Sequence, residues 1–141
     1  MWPREKFNPL DFSAVRFLIV GIVNTFIGLL IIYVMKWFVG TKDVVANMAG
    51  YGCGLGLSFV LNKRWSFQYN GAIGCALLRF LLLIFVSYLF NLGVTLVAIK
   101  NFGVNSYLAQ ALGVAPYTVI TYLGSRYLVF PNSQKIFETT N

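Results

Sequence analysis

Residues 50–67, GYGCGLGLSFVLNKRWSF, decide how this chain folds. In water, each of the glycines Gly50, Gly52, Gly54 and Gly56 would cost a helix roughly 0.8–1 kcal/mol relative to Ala. In a bilayer no water satisfies the backbone, so a lone span must be helical, and small residues let helices approach closely. At about 100° per residue, Gly50 and Gly54 fall on one side and Gly52 and Gly56 nearly opposite, so the helix can be packed from two directions. The stretch ends in Asn62, Lys63, Arg64 and Trp65, the composition of a span meeting cytoplasmic headgroups.

The whole chain agrees. Of its 141 residues 58% are hydrophobic and 11% charged, against about a quarter charged in soluble domains. That composition predicts an integral membrane protein with no separate soluble domain. The net charge of +7 comes from cations at the ends of apolar runs, which orient spans and contact anionic lipids; nucleic acid is not the expected partner. With no His and two unclustered cysteines, Cys53 and Cys75, neither a metal site nor a disulfide is expected, and no cofactor is called for.

Read outward from the glycine stripe, the expected architecture is all-α, four transmembrane helices over about 16–37, 44–61, 77–99 and 106–123. Residues 1–14 form an interfacial arm, with Asp11 or Ser13 placed to cap the first helix and Thr41 or Asp43 the second. Residues 62–76 are the longest polar connection, and 131–141 a polar tail. No cleavage pattern follows the first apolar run, so it is expected to remain as a span. Lys and Arg number eight on one side (Arg4, Lys6, Arg16, Lys63, Arg64, Arg79, Arg126, Lys135) and three on the other (Lys36, Lys42, Lys100). Both termini are therefore expected in the cytoplasm.

An ungapped shift of 63 residues superposes 16–67 on 79–130. It aligns Arg16-Phe17-Leu18 with Arg79-Phe80-Leu81, Gly40 with Gly103, Gly50 with Gly113, Lys63 with Arg126 and Phe67 with Phe130, and ten of 52 pairs are identical. The expected fold is thus two tandem helical hairpins in the same orientation. Cys53 falls opposite Pro116, so the glycine-softened part of span two matches the proline-interrupted part of span four. Such matched weak points mark a substrate pathway, unless Gly only permits tight packing and Pro only kinks.

No Asp or Glu lies inside a span, which argues against proton coupling, and no catalytic constellation is present, so an enzyme is not expected. The available chemistry is a rim of cations, Arg16, Lys63, Arg64, Arg79 and Arg126, which suits a phosphate group but also serves as plain topology determinants. Above them Asn24, Thr25, Asn47, Asn62, Trp65, Ser87, Asn91 and Gln110 could either bond between helices or face a ligand.

Arg16-Phe17 through Gly21 and Asn24-Thr25, then Ala46-Asn47, then Ser58-Phe59-Val60-Leu61-Asn62-Lys63-Arg64-Trp65-Ser66-Phe67 resemble the GtrA family, small four-span proteins of cell-surface polysaccharide synthesis. The resemblance covers roughly residues 14–131; in the second half Leu128 occupies the usual aromatic position. It implies a bacterial or archaeal cell membrane and movement of a polyprenyl-phosphate-linked sugar, such as undecaprenyl-phosphate glucose, to the outer leaflet for glycosylation of O-antigen, teichoic acid or another glycan. The rim cations would engage the phosphate, the amides and hydroxyls the sugar, and the lipid-sugar gradient would drive the movement. Two other readings are open: a non-transporting anchor for a membrane glycosyltransferase, and a small multidrug-type exporter, against which the lack of an intramembrane Glu weighs. Four helices enclose little volume, so a homodimer is a further expectation.

Overall fold

A computed structural model describes residues 12–131. The expected arm up to Asp11, with its cap and Arg4 and Lys6, and the tail with Lys135 lie outside the described residues. The described residues are helical, without strands, and the chain divides into two compact units, one ending at Gln68 and the next beginning at Tyr69.

In unit 1, α1 (Phe12–Trp37) runs 26 residues, about 39 Å, and takes in Ser13 rather than starting beyond it. Its apolar side chains are not used to build a protein core, since Val20 alone is buried while Phe26 and Tyr33 stand exposed. Lipid is the natural solvent for that surface. The helix closes on Gly40, at φ 67°, with the Thr41 N–H and the Thr41 hydroxyl both donating to the Met35 carbonyl (3.2 and 3.0 Å). Only glycine takes that left-handed turn without strain. Thr41 therefore finishes α1 instead of capping the next helix. Nor does Asp43 cap it: Asp43 is the first residue of α2 (Asp43–Leu61) and pairs with Lys36 at 2.7 Å, while the cap position is Lys42, without a side-chain bond.

The two glycine faces have different fates. A Cβ on Gly50 would sit 2.9 Å from the Gly28 carbonyl oxygen and 2.5 Å from Ile32 Cγ1, and one on Gly54 3.1 Å from Asn24 Oδ1. Around Gly52 and Gly56 there is open space. Within unit 1 one face is spent on the α1–α2 crossing, where small residues bring backbones together, and the other is free.

Past Leu61 the chain does not enter a loop. It continues as a π-helical turn, Asn62–Ser66, in which the Phe67 N–H donates to the Asn62 carbonyl (2.9 Å). The expected polar connection 62–76 shrinks to 67–72, because α3 (Ile73–Phe102) also begins four residues before the expected Leu77. Uncharged small residues there, with Ala76 buried against the unit, let the helix extend.

In unit 2, α3 ends on Gly103 (φ 62°), with the Val104 N–H donating to the Ala98 carbonyl at 3.1 Å. The Asn105 side chain accepts from the Tyr107 N–H (2.9 Å) and caps α4 (Ser106–Gly124), which passes through Pro116 unbroken. A second π-helical turn, Ser125–Val129, follows. A Cβ on Gly113 would meet the Asn91 carbonyl oxygen at 2.9 Å and Thr95 Oγ1 at 2.7 Å.

Three stretches, Phe12–Trp37, Asp43–Ser66 and Ile73–Phe102, are long and apolar enough to cross a membrane. Helix α4 is not among them, since Tyr107, Gln110, Tyr117, Thr118, Thr121 and Tyr122 lower its apolarity. Many features recur 63 residues apart: the bounds of α2 and α4, both π-helical turns, the closing glycines Gly40 and Gly103, and the crossing glycines Gly50 and Gly113.

Candidate functional site

The two π-helical turns carry most of the cations that the sequence singles out. A π turn widens the helix by one residue and is often found where function needs backbone groups or side chains re-aimed. In unit 1, Asn62 is 1% exposed; its Nδ2 donates to Ser58 Oγ (3.2 Å) and its Oδ1 accepts from Ser66 Oγ (2.9 Å). This ladder of residues four apart stitches the turn from inside. From outside, Arg16 Nη1 on α1 donates to the Trp65 carbonyl at 3.2 Å. Lys63 and Arg64 stand on the turn so held. Among the described residues they make no hydrogen bond or ion pair, and the one described acid, Asp43, lies at the other end of α2.

Unit 2 builds its turn otherwise. Arg79 Nη1 reaches the Leu128 carbonyl at 3.5 Å, the position 63 residues after Trp65, and the contact is long for a hydrogen bond. Ser125, Thr121 and Val129 are buried where unit 1 has Asn62, Ser58 and Ser66. The Ser125 hydroxyl, fully buried, has no partner. Arg126 folds back: its Nη1 donates to the Tyr122 hydroxyl (2.9 Å) and its guanidinium lies 5.6 Å from the centre of the Tyr127 ring. Phe130 packs between Tyr69 and Phe80, with ring centres 5.6 and 6.4 Å away, whereas unit 1 has the pair Phe17–Phe67 at 6.2 Å.

The remaining residues singled out from sequence are dispersed. Asn24 lies in the seam beside Gly54 with its Oδ1 unpartnered, and Ser87, at the equivalent position of unit 2, is buried with its Oγ unpartnered. Thr25 donates back to the Gly21 carbonyl (2.9 Å). Asn91 lies at the α3–α4 crossing, within 3.5 Å of Thr95 Oγ1. Asn47 and Gln110 are exposed, and Trp65 is 42% exposed beside Arg64. Two apolar grooves, about 810 Å³ between Leu89 and Leu112 and about 370 Å³ between Leu30 and Phe38, are lined by none of these residues. Among the described residues no three His, Cys, Asp or Glu gather as a metal would require, and Cys53 and Cys75 are free thiols.

Sequence reasoning gave no role to Ser58, Ser66, Tyr122 and Tyr127. The spacing Ser58-x-x-x-Asn62-x-x-x-Ser66 was the available signal, since residues four apart share a helix face. Whether Tyr122 meets Arg126 depends on rotamers, which no spacing dictates.

With its described residues helical, three helices long and apolar enough to cross a membrane, and cations on two π-helical turns, this is a membrane protein. It belongs to the GtrA/DPMS transmembrane-domain family, whose model matches residues 16–130, from the first rim arginine to the last rim aromatic. That family connects the chain to membrane processes of polyprenyl-phosphate sugars, and its members are generally non-catalytic membrane proteins. The chain is also similar to the uncharacterized membrane protein YwcD of Bacillus subtilis (strain 168), at 24% identity over 123 residues, covering 84% of this chain and 97% of that protein.

Proposed function

We propose that the protein moves a polyprenyl-phosphate-linked monosaccharide, such as undecaprenyl-phosphate glucose, from the cytoplasmic to the outer leaflet, for glycosylation of a cell-surface polysaccharide or teichoic acid. One observation carries the reading: the family match takes in both π-helical turns, on the first of which Lys63 and Arg64 stand without a hydrogen bond to any described residue. A phosphate in the inner leaflet needs donors at that depth, and guanidinium and ammonium groups supply them. Asn24 and Ser87, each with a buried oxygen lacking a partner at the same place in its hairpin, are the first candidates to meet sugar hydroxyls.

In this reading the chain forms a four-helix membrane bundle of two tandem repeats, both termini facing the cytoplasm, with α4 crossing through its packing on α3. The recurrence of turn, cap and crossing at an interval of 63 residues supports the repeat. The glycine stripe and Pro116 are its soft points. The protein acts without catalysis, driven by synthesis of the lipid-linked sugar on one side and its consumption on the other. Proteoliposomes containing radiolabelled polyprenyl-phosphoryl hexose test this: label should reach the opposite leaflet faster with protein than without. Equal rates would remove transport and leave the scaffold for a glycosyltransferase.

A further inference from the structure

The five rim cations are not equivalent, and their hydrogen bonds divide them. Arg16 and Arg79 each give an N–H to a carbonyl of their own π-helical turn. Arg126 gives one to Tyr122 and lies against Tyr127. Lys63 and Arg64 give none to any described residue. Unit 1 has Phe59 where unit 2 has Tyr122, so Lys63 meets no hydroxyl corresponding to the one that engages Arg126. The turn beneath Lys63 and Arg64 is the better braced, with Asn62 buried between Ser58 and Ser66 inside and Arg16 on the Trp65 carbonyl outside. A charged donor that stands on a braced backbone and lacks an intramolecular acceptor has no internal bond to give up on taking a ligand.

We propose that the lipid phosphodiester of the substrate is bound by one half of the protein, through Lys63 and Arg64 on the first π-helical turn, while Arg126 on the second is engaged by Tyr122 and Tyr127 and does not contact it. This rests on the transport reading above and makes it asymmetric. Two repeats sharing a backbone would then offer a single headgroup site. The same phosphodiester chemistry occurs in phosphatidylglycerol, a bulk membrane lipid, and the test must separate the two.

The full chain in phosphatidylcholine nanodiscs is titrated with polyprenyl-phosphoryl hexose, and separately with phosphatidylglycerol, following Trp65 fluorescence next to the proposed site with Trp2→Phe and Trp37→Phe in the background. The Lys63→Gln/Arg64→Gln variant should weaken binding of polyprenyl-phosphoryl hexose at least about thirtyfold, as loss of two charge-assisted contacts implies. Arg126→Gln should change it by less than about threefold, and Lys63→Arg/Arg64→Lys, which keeps both charges, should stay near the parent. Comparable losses from Arg126→Gln, no loss from the double variant, no binding by the parent, or equal affinity for phosphatidylglycerol would each overturn the assignment. The liposome assay separates the two readings. Binding that depends on Lys63 and Arg64 without translocation refutes transport alone; translocation equally reduced by Arg126→Gln and the double variant refutes the asymmetry alone.

Discussion

Unit 1 and unit 2 each end a helix pair in a π-helical turn, at positions 63 residues apart, and support it by different side-chain chemistry. In the first, an amide long enough to reach both neighbours four residues away ties Ser58, Asn62 and Ser66 together. In the second, Ser125 occupies the central position, and its hydroxyl, fully buried, finds no partner. What holds there instead is aromatic, with Phe130 between Tyr69 and Phe80 and Arg126 bound to Tyr122. The difference teaches that the π-helical turn does not depend on one polar ladder. The features the two units share are the glycine crossing, the glycine-closed helix end and the reach of an α1 or α3 arginine to the turn, and these are the stronger candidates for what sets the geometry.

The harshest way to break that comparison is to fill the crossing. Gly50→Val and Gly113→Val should each cost about 3 kcal/mol, the upper end for overpacking, because a backbone carbonyl 2.9 Å from the new Cβ cannot step aside. Unfolding in mixed micelles of increasing SDS measures this, with Gly52→Val and Gly56→Val expected to be silent. Sensitivity at only one crossing would mean that the halves do not share a packing rule.

Next in size is the ladder. Asn62→Ala strands two hydroxyls and should cost about 1–3 kcal/mol in the same titration, whereas Ser125→Ala removes an unpartnered buried group and should be neutral or slightly stabilising. Equal costs would show that the second turn has polar partners equivalent to those of the first. Smaller again is Tyr122→Phe, which places at this position the residue of unit 1. It should lose about 1 kcal/mol of stability or less while narrowing the gap in lipid binding between Arg126→Gln and Lys63→Gln/Arg64→Gln. The least effect is expected of Asp43→Asn, since the Lys36–Asp43 pair is exposed on both sides and such pairs often add nothing measurable. The corresponding turn of unit 2 has Ile99 and Ser106 at those positions and closes without an ion pair between them.

Much of the fold was legible. Three of the four expected spans could be read from hydrophobicity alone, and Gly40 and Gly103 could be placed in the short turns; α4, the fourth, is helical but less apolar than the others. Cap residues were not. Thr41 and Asp43 are both suitable N-cap types, yet one completes α1 and the other pairs with Lys36, because a turn this short puts them within reach of the preceding helix. Asn62, Lys63, Arg64 and Ser66 have the polar composition of a loop, yet they continue the helix as a π-helical turn. The Ser58-x-x-x-Asn62-x-x-x-Ser66 spacing marks a shared helix face, but not that this face turns inward. Of the candidate site, the cations were identifiable as residues, but which of them already have partners was not.

Composition determined that lipid is this protein's solvent, and long apolar runs determined that it is helical, because an unpaired backbone in hydrocarbon is too costly for a lone span. The sequence also placed positive charge at the ends of those runs. The tertiary structure alone decided which glycine face makes the crossing, that both hairpins end in a π-helical turn, and that Arg126 is engaged while Lys63 and Arg64 are not. The glycine crossings and the reach of Arg16 and Arg79 across 49 residues form only once two helices lie side by side, and the Arg126–Tyr122 bond, between residues four apart, depends on rotamers that no spacing dictates.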